Sequence, residues 1–201
     1  MHSNWRASLI AALLTVVLAG CASSPATSFY AIEPLVLTGD EAVGGPLVGV
    51  GPTVVASYLR RPQIVSRDPD GSVRIEEFHR WIEPLDDALP RLLTHNLAVL
   101  VPQAAFVEMP ALSTVRPNLR ILIDITRFEV DAAGRGLLEA QWAIDDRKTL
   151  LFGPRRDIFF APVGGAGEPA DQVLALQAAL EQFSRALAAE VPDWLPDADA
   201  D

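Results

Sequence analysis

Two segments with alternating apolar and polar residues constrain the fold more than any other feature of this chain. In residues 119–126 the apolar positions are every second one, Leu119, Ile121, Ile123 and Ile125. A glycine-containing turn follows, and a second alternation then places apolar residues at Leu138, Ala140, Trp142 and Ile144. A period of two is that of a strand with one buried face. The sequence therefore predicts a hairpin of two half-buried antiparallel strands over residues 119–145.

Two other segments have a helical period instead. Residues 85–100 carry an apolar stripe at spacings of three and four, Leu85, Leu89, Leu92, Leu93, Leu97 and Leu100. Residues 169–190 carry a second, Val173, Leu176, Leu180, Phe183 and Leu187. Asp86, Asp87 and Asp171 lie near the two starts, where carboxylates complement free backbone N–H groups. Pro90 is tolerated only near the first turn, so the first helix is expected to begin close to Asp86.

Shorter apolar segments predict the remaining strands. They are residues 29–35, 46–55, 63–67, 72–81 and 157–161, the last of them after a break at Gly153–Pro154. The Asp-Pro-Asp-Gly loop at 68–71 predicts a hairpin between the third and fourth. The expected fold class is α/β in the α+β sense, a two-layer sandwich with a mainly antiparallel sheet and both helices on one face.

The N-terminus predicts an export signal rather than part of this fold. Arg6 precedes an apolar run over residues 7–18 that is about 18 Å long as a helix, too short for about 30 Å of bilayer hydrocarbon. The run ends in Leu-Ala-Gly-Cys, and Cys21 is the chain's single cysteine. This string resembles a bacterial lipobox. The resemblance implies that the signal peptide is removed before Cys21, which becomes residue one and carries acyl chains such as palmitate. Ala22, in place of an aspartate, favours the outer membrane.

Four parts of the chain are expected from these features. They are a lipoprotein signal peptide at 1–20, a lipidated flexible tether at 21–28, a single domain at 29–191 and an acidic disordered tail at 192–201. Loss of Arg6 with the signal leaves 15 basic residues against 26 acidic ones, a net charge of −11. Such a field repels nucleic acid and anionic lipid, so no nucleic-acid partner is expected.

The sequence offers no spacing typical of catalysis. The mature part has two histidines, His79 and His95, and neither lies in a metal-binding spacing. Adjacent acids such as those at 86–87 and 145–146 are better explained by a helix start and a turn. We therefore expect no metal, no cofactor and no enzyme activity.

An arginine-rich segment at residues 58–67, Tyr-Leu-Arg-Arg-Pro-Gln-Ile-Val-Ser-Arg, is the remaining candidate site. Five of the basic residues lie between positions 60 and 80, in a strongly acidic protein. Pro62 marks an entry or edge position of a strand. Two interpretations stay open: the arginines blunt an exposed sheet edge and pair with acids across their own hairpin, or they contact an acidic patch of a partner protein or another copy of the chain.

Three motifs in order resemble the PqiC-like family of ABC-transport auxiliary lipoproteins. They are Val-Gly-Pro at 50–52, the arginine-rich segment, and Phe-His-Arg-Trp-Ile-Glu-Pro-Leu at 78–85. The candidate partner or subunit interface therefore consists of Tyr58, Leu59, Arg60, Arg61, Arg67 and Trp81.

The resemblance implies a non-catalytic subunit of an MCE-type intermembrane lipid transport system. Such a lipoprotein is held in the outer membrane by its lipid anchor, faces the periplasm, and docks the periplasmic MCE-domain protein as a homo-oligomeric ring that supports membrane integrity. Two alternatives remain: a carrier with an internal apolar pocket for one lipid, and an envelope hydrolase.

Overall fold

The computed structural model describes residues 25–36, 44–109 and 115–196. Cys21, the signal peptide and the last residues of the acidic tail lie outside these ranges. The strands are β1 Ser28–Tyr30, β2 Leu47–Val55, β3 Gln63–Arg67, β4 Val73–Trp81, β5 Ala105–Glu108, β6 Leu119–Val130, β7 Arg135–Asp145 and β8 Leu150–Pro162. The helices are α1 Leu85–Leu100 and α2 Pro169–Glu190. Neither helix is long and apolar enough to cross a bilayer, among the residues described.

All eight strands belong to one mixed sheet. The hairpins β3–β4 and β6–β7 are antiparallel, as expected, and β7–β8 is a third antiparallel pair; the registers of β6–β7 and β7–β8 are the longest. The pairs β1–β4, β2–β5, β2–β6 and β3–β6 are parallel. One side of β6 pairs with β7, while β2 and the end of β3 share its other side. One path through the sheet is therefore β1, β4, β3, β6, β7, β8, and β2 followed by β5 branches from β6 on the side that β3 also meets.

Both helices pack on the same face of the sheet, which confirms the α+β class. The alternation in β6 buries Leu119, Ile121, Ile123 and Ile125, and the core joins these to the helix stripes. The largest fully buried side chains are Trp142, Phe128, Phe183, Leu59, Ile64, Leu89, Leu92, Leu93, Leu97, Ile121, Ile125 and Leu138. Burial of each such side chain stabilises the fold by about 1.5–3 kcal/mol.

The helix ends follow the expected chemistry. α2 begins with a reciprocal cap, in which the Glu168 N–H donates to Asp171 Oδ2 at 3.2 Å. In α1 the proline is the sixth residue, and Thr94 Oγ1 donates to the Pro90 carbonyl oxygen at 2.8 Å. Both helices have the bounds that their apolar stripes predict.

Four features differ from the expectation. β1 is much shorter than residues 29–35, and the short strand β5 has no counterpart in the predicted elements. β8 passes through Gly153–Pro154 instead of starting after it, because Gly153 adopts a φ of +85° beside a register shift opposite β7. Val191–Trp194, which overlap the segment expected to be a disordered tail from Pro192, form a 3₁₀ turn, and the Trp194 ring lies 6.3 Å from that of Phe152.

Candidate functional site

The arginine-rich segment joins β2 to β3 across the surface. Ser57–Leu59 form a 3₁₀ turn whose Leu59 side chain is buried in the core, and β3 begins at Gln63 as the motif predicts. β3 pairs with β4 on one side and meets β6 on the other at a single residue pair, Ser66 and Val130. Whether the arginines shield an exposed edge or contact a partner stays a prediction.

Two members of the segment point inward, to a carboxylate that the sequence analysis did not single out. We define the Glu129 cluster as Tyr58, Arg67, Arg127 and Glu129. The Glu129 side chain on β6 is fully buried. The Tyr58 hydroxyl donates to its Oε2 at 2.9 Å, and Arg67 donates from Nε to Oε1 at 2.8 Å and from Nη2 to Oε2 at 3.1 Å. Arg127 Nη2 donates to Oε1 at 2.6 Å.

The cluster keeps its carboxylate charged. Burial alone raises the pKa of Glu129, but the hydrogen bonds from Arg67, Arg127 and Tyr58 outweigh it, so this pKa lies below its usual range. Burial, and then the neighbouring Glu129 charge, raise the pKa of Tyr58 above that of a free phenol. Tyr58 is therefore a neutral donor and Glu129 a charged acceptor at neutral pH. Each carboxylate oxygen has at least two donors, so the group is satisfied where it is buried.

Arg60 and Arg61 point outward instead. Arg60 Nε donates to the Val55 carbonyl oxygen at 3.2 Å, and Arg61 Nε donates to the Tyr58 carbonyl oxygen at 2.7 Å. These bonds hold the two Nε atoms; Arg60 is exposed and Arg61 is half-buried, and no hydrogen bond from an Nη atom of either is found among the described residues. In the part of the chain that the structure describes, neither guanidinium lies within 4 Å of a carboxylate.

A surface groove of about 480 Å³ lies beside these two arginines. We define the arginine groove by its lining residues, Phe29, Arg60, Arg61, Pro62, Trp81, Ile82, Glu83, Pro84 and Asp86. Phe29 is 62% exposed and Ile82 is 65% exposed, which places them among the most exposed large apolar side chains of the described residues. The two lie on neighbouring chain segments, since the Ile82 N–H donates to the Tyr30 carbonyl oxygen at 2.9 Å. The groove thus combines an exposed apolar pair with two outward-facing arginines.

Trp81 forms the base of this groove. Its indole is 5% exposed and lies 6.2 Å, between ring centroids, from Phe128 in the core. The backbone N–H of Trp81 donates to the Pro62 carbonyl oxygen at 2.6 Å, which ties the end of β4 to the residue before β3. Trp81 therefore connects the core to the chain segment that carries Arg60 and Arg61.

The histidines have partners that account for them structurally. His79 Nδ1 and the Tyr30 hydroxyl are 2.9 Å apart, and His95 Nε2 is 2.9 Å from the Leu35 carbonyl oxygen. No cluster of three metal-ligating side chains occurs in the described ranges. The described residues thus form an exposed groove and a separate internal ion-pair cluster.

The structure thus divides the six candidate interface residues. Leu59 is in the core, Tyr58 and Arg67 bind Glu129, and Arg60, Arg61 and Trp81 line the groove. Sequence reasoning missed Glu129 and Arg127, because the register of β6 shifts between Ile125 and Arg127 and changes which residues are buried. It also missed Phe29 and Ile82. The sequence shows only that both are apolar and lie at or next to the end of a predicted strand; that the two strands pair is visible in the structure alone.

Comparison with protein families places this fold. The model of the ABC-type transport auxiliary lipoprotein component matches residues 33–188. The chain belongs to this family. This auxiliary lipoprotein is 26% identical over 142 residues to the intermembrane transport lipoprotein PqiC of Escherichia coli (strain K12), a match over 69% of this chain and 74% of that protein. PqiC of Shigella flexneri matches to the same extent.

Solved structures show the same fold for the auxiliary lipoprotein. An uncharacterized protein has a TM-score of 0.67 at 20% identity, covering 83% of this chain and 99% of its own. Protein XCC0632 from Xanthomonas campestris has a TM-score of 0.66 at 20% identity, covering 81% of this chain and 93% of its own. The arrangement of sheet and helices described above is therefore shared with experimental structures.

Proposed function

We propose that this auxiliary lipoprotein is a non-catalytic subunit of an MCE-type intermembrane lipid transport system. It is anchored in the outer membrane through acylated Cys21, faces the periplasm, and docks the distal end of the periplasmic MCE-domain protein as a ring of copies. Family membership over residues 33–188 is the observation that carries the proposal. The name of the PqiC relative, an intermembrane transport lipoprotein, supports the same role.

The chemistry of the domain supports a docking role over a catalytic one. Its most buried acid, Glu129, is fully occupied by Tyr58, Arg67 and Arg127. His79 and His95 are each within hydrogen-bond distance of a structural partner. A general base needs a free lone pair beside a reacting group, and these side chains are otherwise engaged.

The packing between the layers favours docking over a lipid carried between helices and sheet. Trp142, Phe128 and Phe183 are large side chains at this interface, and each is at most 2% exposed. Phe183 of α2 also lies 5.7 Å from Phe159 of β8, so the helix contacts the sheet directly there. Aromatic side chains already occupy the space that such a lipid would need.

The anchor is tested by metabolic labelling with palmitate. The full-length protein should take up the label and fractionate with the outer membrane, because acylation at Cys21 supplies the only strong attachment. Cys21→Ser should abolish the label, and Ser23→Ala, two positions away, should retain it. Equal labelling of the Cys21→Ser variant would contradict the anchor.

Docking is tested by co-purification of the lipidated protein with the periplasmic MCE-domain subunit from detergent-solubilised membranes. The expected result is recovery of both proteins in one complex that contains several copies of the lipoprotein. An unrelated outer-membrane lipoprotein with the same affinity tag is the control. Recovery of the lipoprotein alone at the salt concentration of the periplasm would overturn the docking role.

A further inference from the structure

We infer that the arginine groove is the surface on which the folded domain rests against a zwitterionic phospholipid leaflet, the one that holds its acyl anchor. The inference rests on the proposed anchor at Cys21. It assigns a contact that the anchor alone does not supply, since acyl chains at the end of the polypeptide attach the domain without orienting it. The observations that carry it are the position of the groove, its exposed apolar pair and its charges.

The groove lies where the tether joins the fold. Ser28, the first residue of β1, lies seven positions after Cys21, and an extended chain over that distance spans at most about 25 Å. Phe29, the next residue, lines the groove. The β8 edge lies five strand spacings away, about 24 Å across the sheet. The arginine groove is thus closer than the β8 edge to the point where the chain from the anchor enters the domain.

Phe29 and Ile82 are suited to the interfacial region of a bilayer. Both are more than half exposed, and they lie on neighbouring segments held together by the β1–β4 pairing. Exposed apolar side chains on rigid backbone enter the boundary between headgroups and acyl chains without an ordering cost for the backbone. Their contact with lipid would remove from water the apolar surface that the fold leaves open.

The charges of the groove match a zwitterionic headgroup. The outward Nη groups of Arg60 and Arg61 are donors for phosphate oxygens. Asp86 and Glu83 line the same groove, and Glu83 also pairs with Arg91. A headgroup with a phosphate and an ammonium group complements both signs, whereas an anionic leaflet would be repelled by a chain with a formal net charge of −10. Charge complementarity therefore selects zwitterionic phospholipid.

The test uses the lipidated full-length protein in vesicles of phosphatidylcholine and phosphatidylethanolamine that contain brominated phosphatidylcholine. Ile82→Cys introduces the only free thiol, because the Cys21 sulfur is acylated, and this thiol is labelled with an environment-sensitive fluorophore. Ile158→Cys on β8 is the matched control, since Ile158 is 47% exposed and lies on the strand at the far edge. Bromine should quench the label at position 82 by at least about twice as much as at 158.

A second variant separates the charge contribution. Arg60→Glu combined with Arg61→Glu should lower quenching at position 82 toward the level at 158. Arg185→Glu, a reversal at an exposed arginine of α2, should leave it unchanged. Thermal unfolding of each variant checks that the domain remains folded.

The outcomes distinguish the groove from the anchor. If the protein floats with the vesicles but the labels at 82 and 158 are quenched equally, the groove inference is overturned and the anchor stands. A blue-shifted label at 82 without quenching would mean that another protein surface covers the groove, which also overturns it. If the unlabelled protein does not float with vesicles, the anchor and the groove inference both fail.

Discussion

The Glu129 cluster and the arginine groove take side chains from the same short segment and use them in opposite ways. Tyr58 and Arg67 turn inward and bind a fully buried carboxylate. Arg60 and Arg61, between them in sequence, turn outward, and only their Nε atoms bond to the fold. The difference shows that an arginine-rich motif can contain both a structural part and a surface part, which the partners of each guanidinium distinguish.

The largest effect is expected from removal of the buried carboxylate. Glu129→Ala leaves Arg67 and Arg127 without their counter-charge in a partly buried place, and we expect it to lower the free energy of unfolding by about 3 kcal/mol. Urea unfolding measures the loss. Glu181→Ala removes an exposed partner of Arg185 and should cost less than about 0.5 kcal/mol. Equal losses for the two variants would contradict a structural role of the cluster.

A smaller effect is expected for the tyrosine that links the cluster to the 3₁₀ turn. Tyr58→Phe removes one hydrogen bond to a charged acceptor and should lower the free energy of unfolding by about 1.5 kcal/mol. Tyr30→Phe, which removes the hydroxyl near His79, is the control and should cost about 0.5 kcal/mol. If Tyr58→Phe costs no more than the control, the hydroxyl does not hold the turn.

The pH dependence of stability gives a further test of the Glu129 cluster. The pKa of Glu129 is lower in the folded protein than in the unfolded chain, so its contribution is complete above the unfolded pKa and is lost as the pH falls through the folded one. The stability of the wild type should therefore fall more steeply below about pH 4.3 than that of Glu129→Gln. Parallel pH profiles from urea unfolding would show that Glu129 does not titrate as described. The variant also corrects for the other carboxylates, which titrate in both proteins.

The smallest change in stability is expected in the groove. Arg61→Glu should alter the free energy of unfolding by only a few tenths of a kcal/mol, because its guanidinium is held by a single backbone contact. The same variant should still weaken the proposed contact between the arginine groove and the phospholipid leaflet. A loss above about 1.5 kcal/mol would place Arg61 with the structural residues and remove the contrast between the two regions.

The periodic elements of the fold could be predicted from sequence. β6 and both helices have the bounds that their apolar spacing indicates. An element that buries one face needs apolar residues at the period of that element, so the spacing can be recognised in the sequence. The parallel pairs of β2 with β5 and β6 could not be predicted in this way. Their partners are brought together by crossover connections, which no local turn signal records.

The candidate site was predicted only in part, for a related reason. The motif identified Tyr58 and Arg67, but their common partner Glu129 is more than sixty residues further along the chain. Its burial depends on the register shift in β6 and on where β3 meets that strand. Similarly, Phe29 joins the groove only through the short parallel pairing of β1 with β4.

The contact between Trp194 and Phe152 has a practical consequence for probes attached to this protein. It secures the last described turn beside β8, while the chain enters the domain through β1 at the other edge of the sheet. A reporter fused after residue 196 would therefore leave the domain about 24 Å across the sheet from the entry point. Such a fusion should leave the proposed lipid contact undisturbed. Truncation before Trp194 would remove the aromatic ring that packs against Phe152.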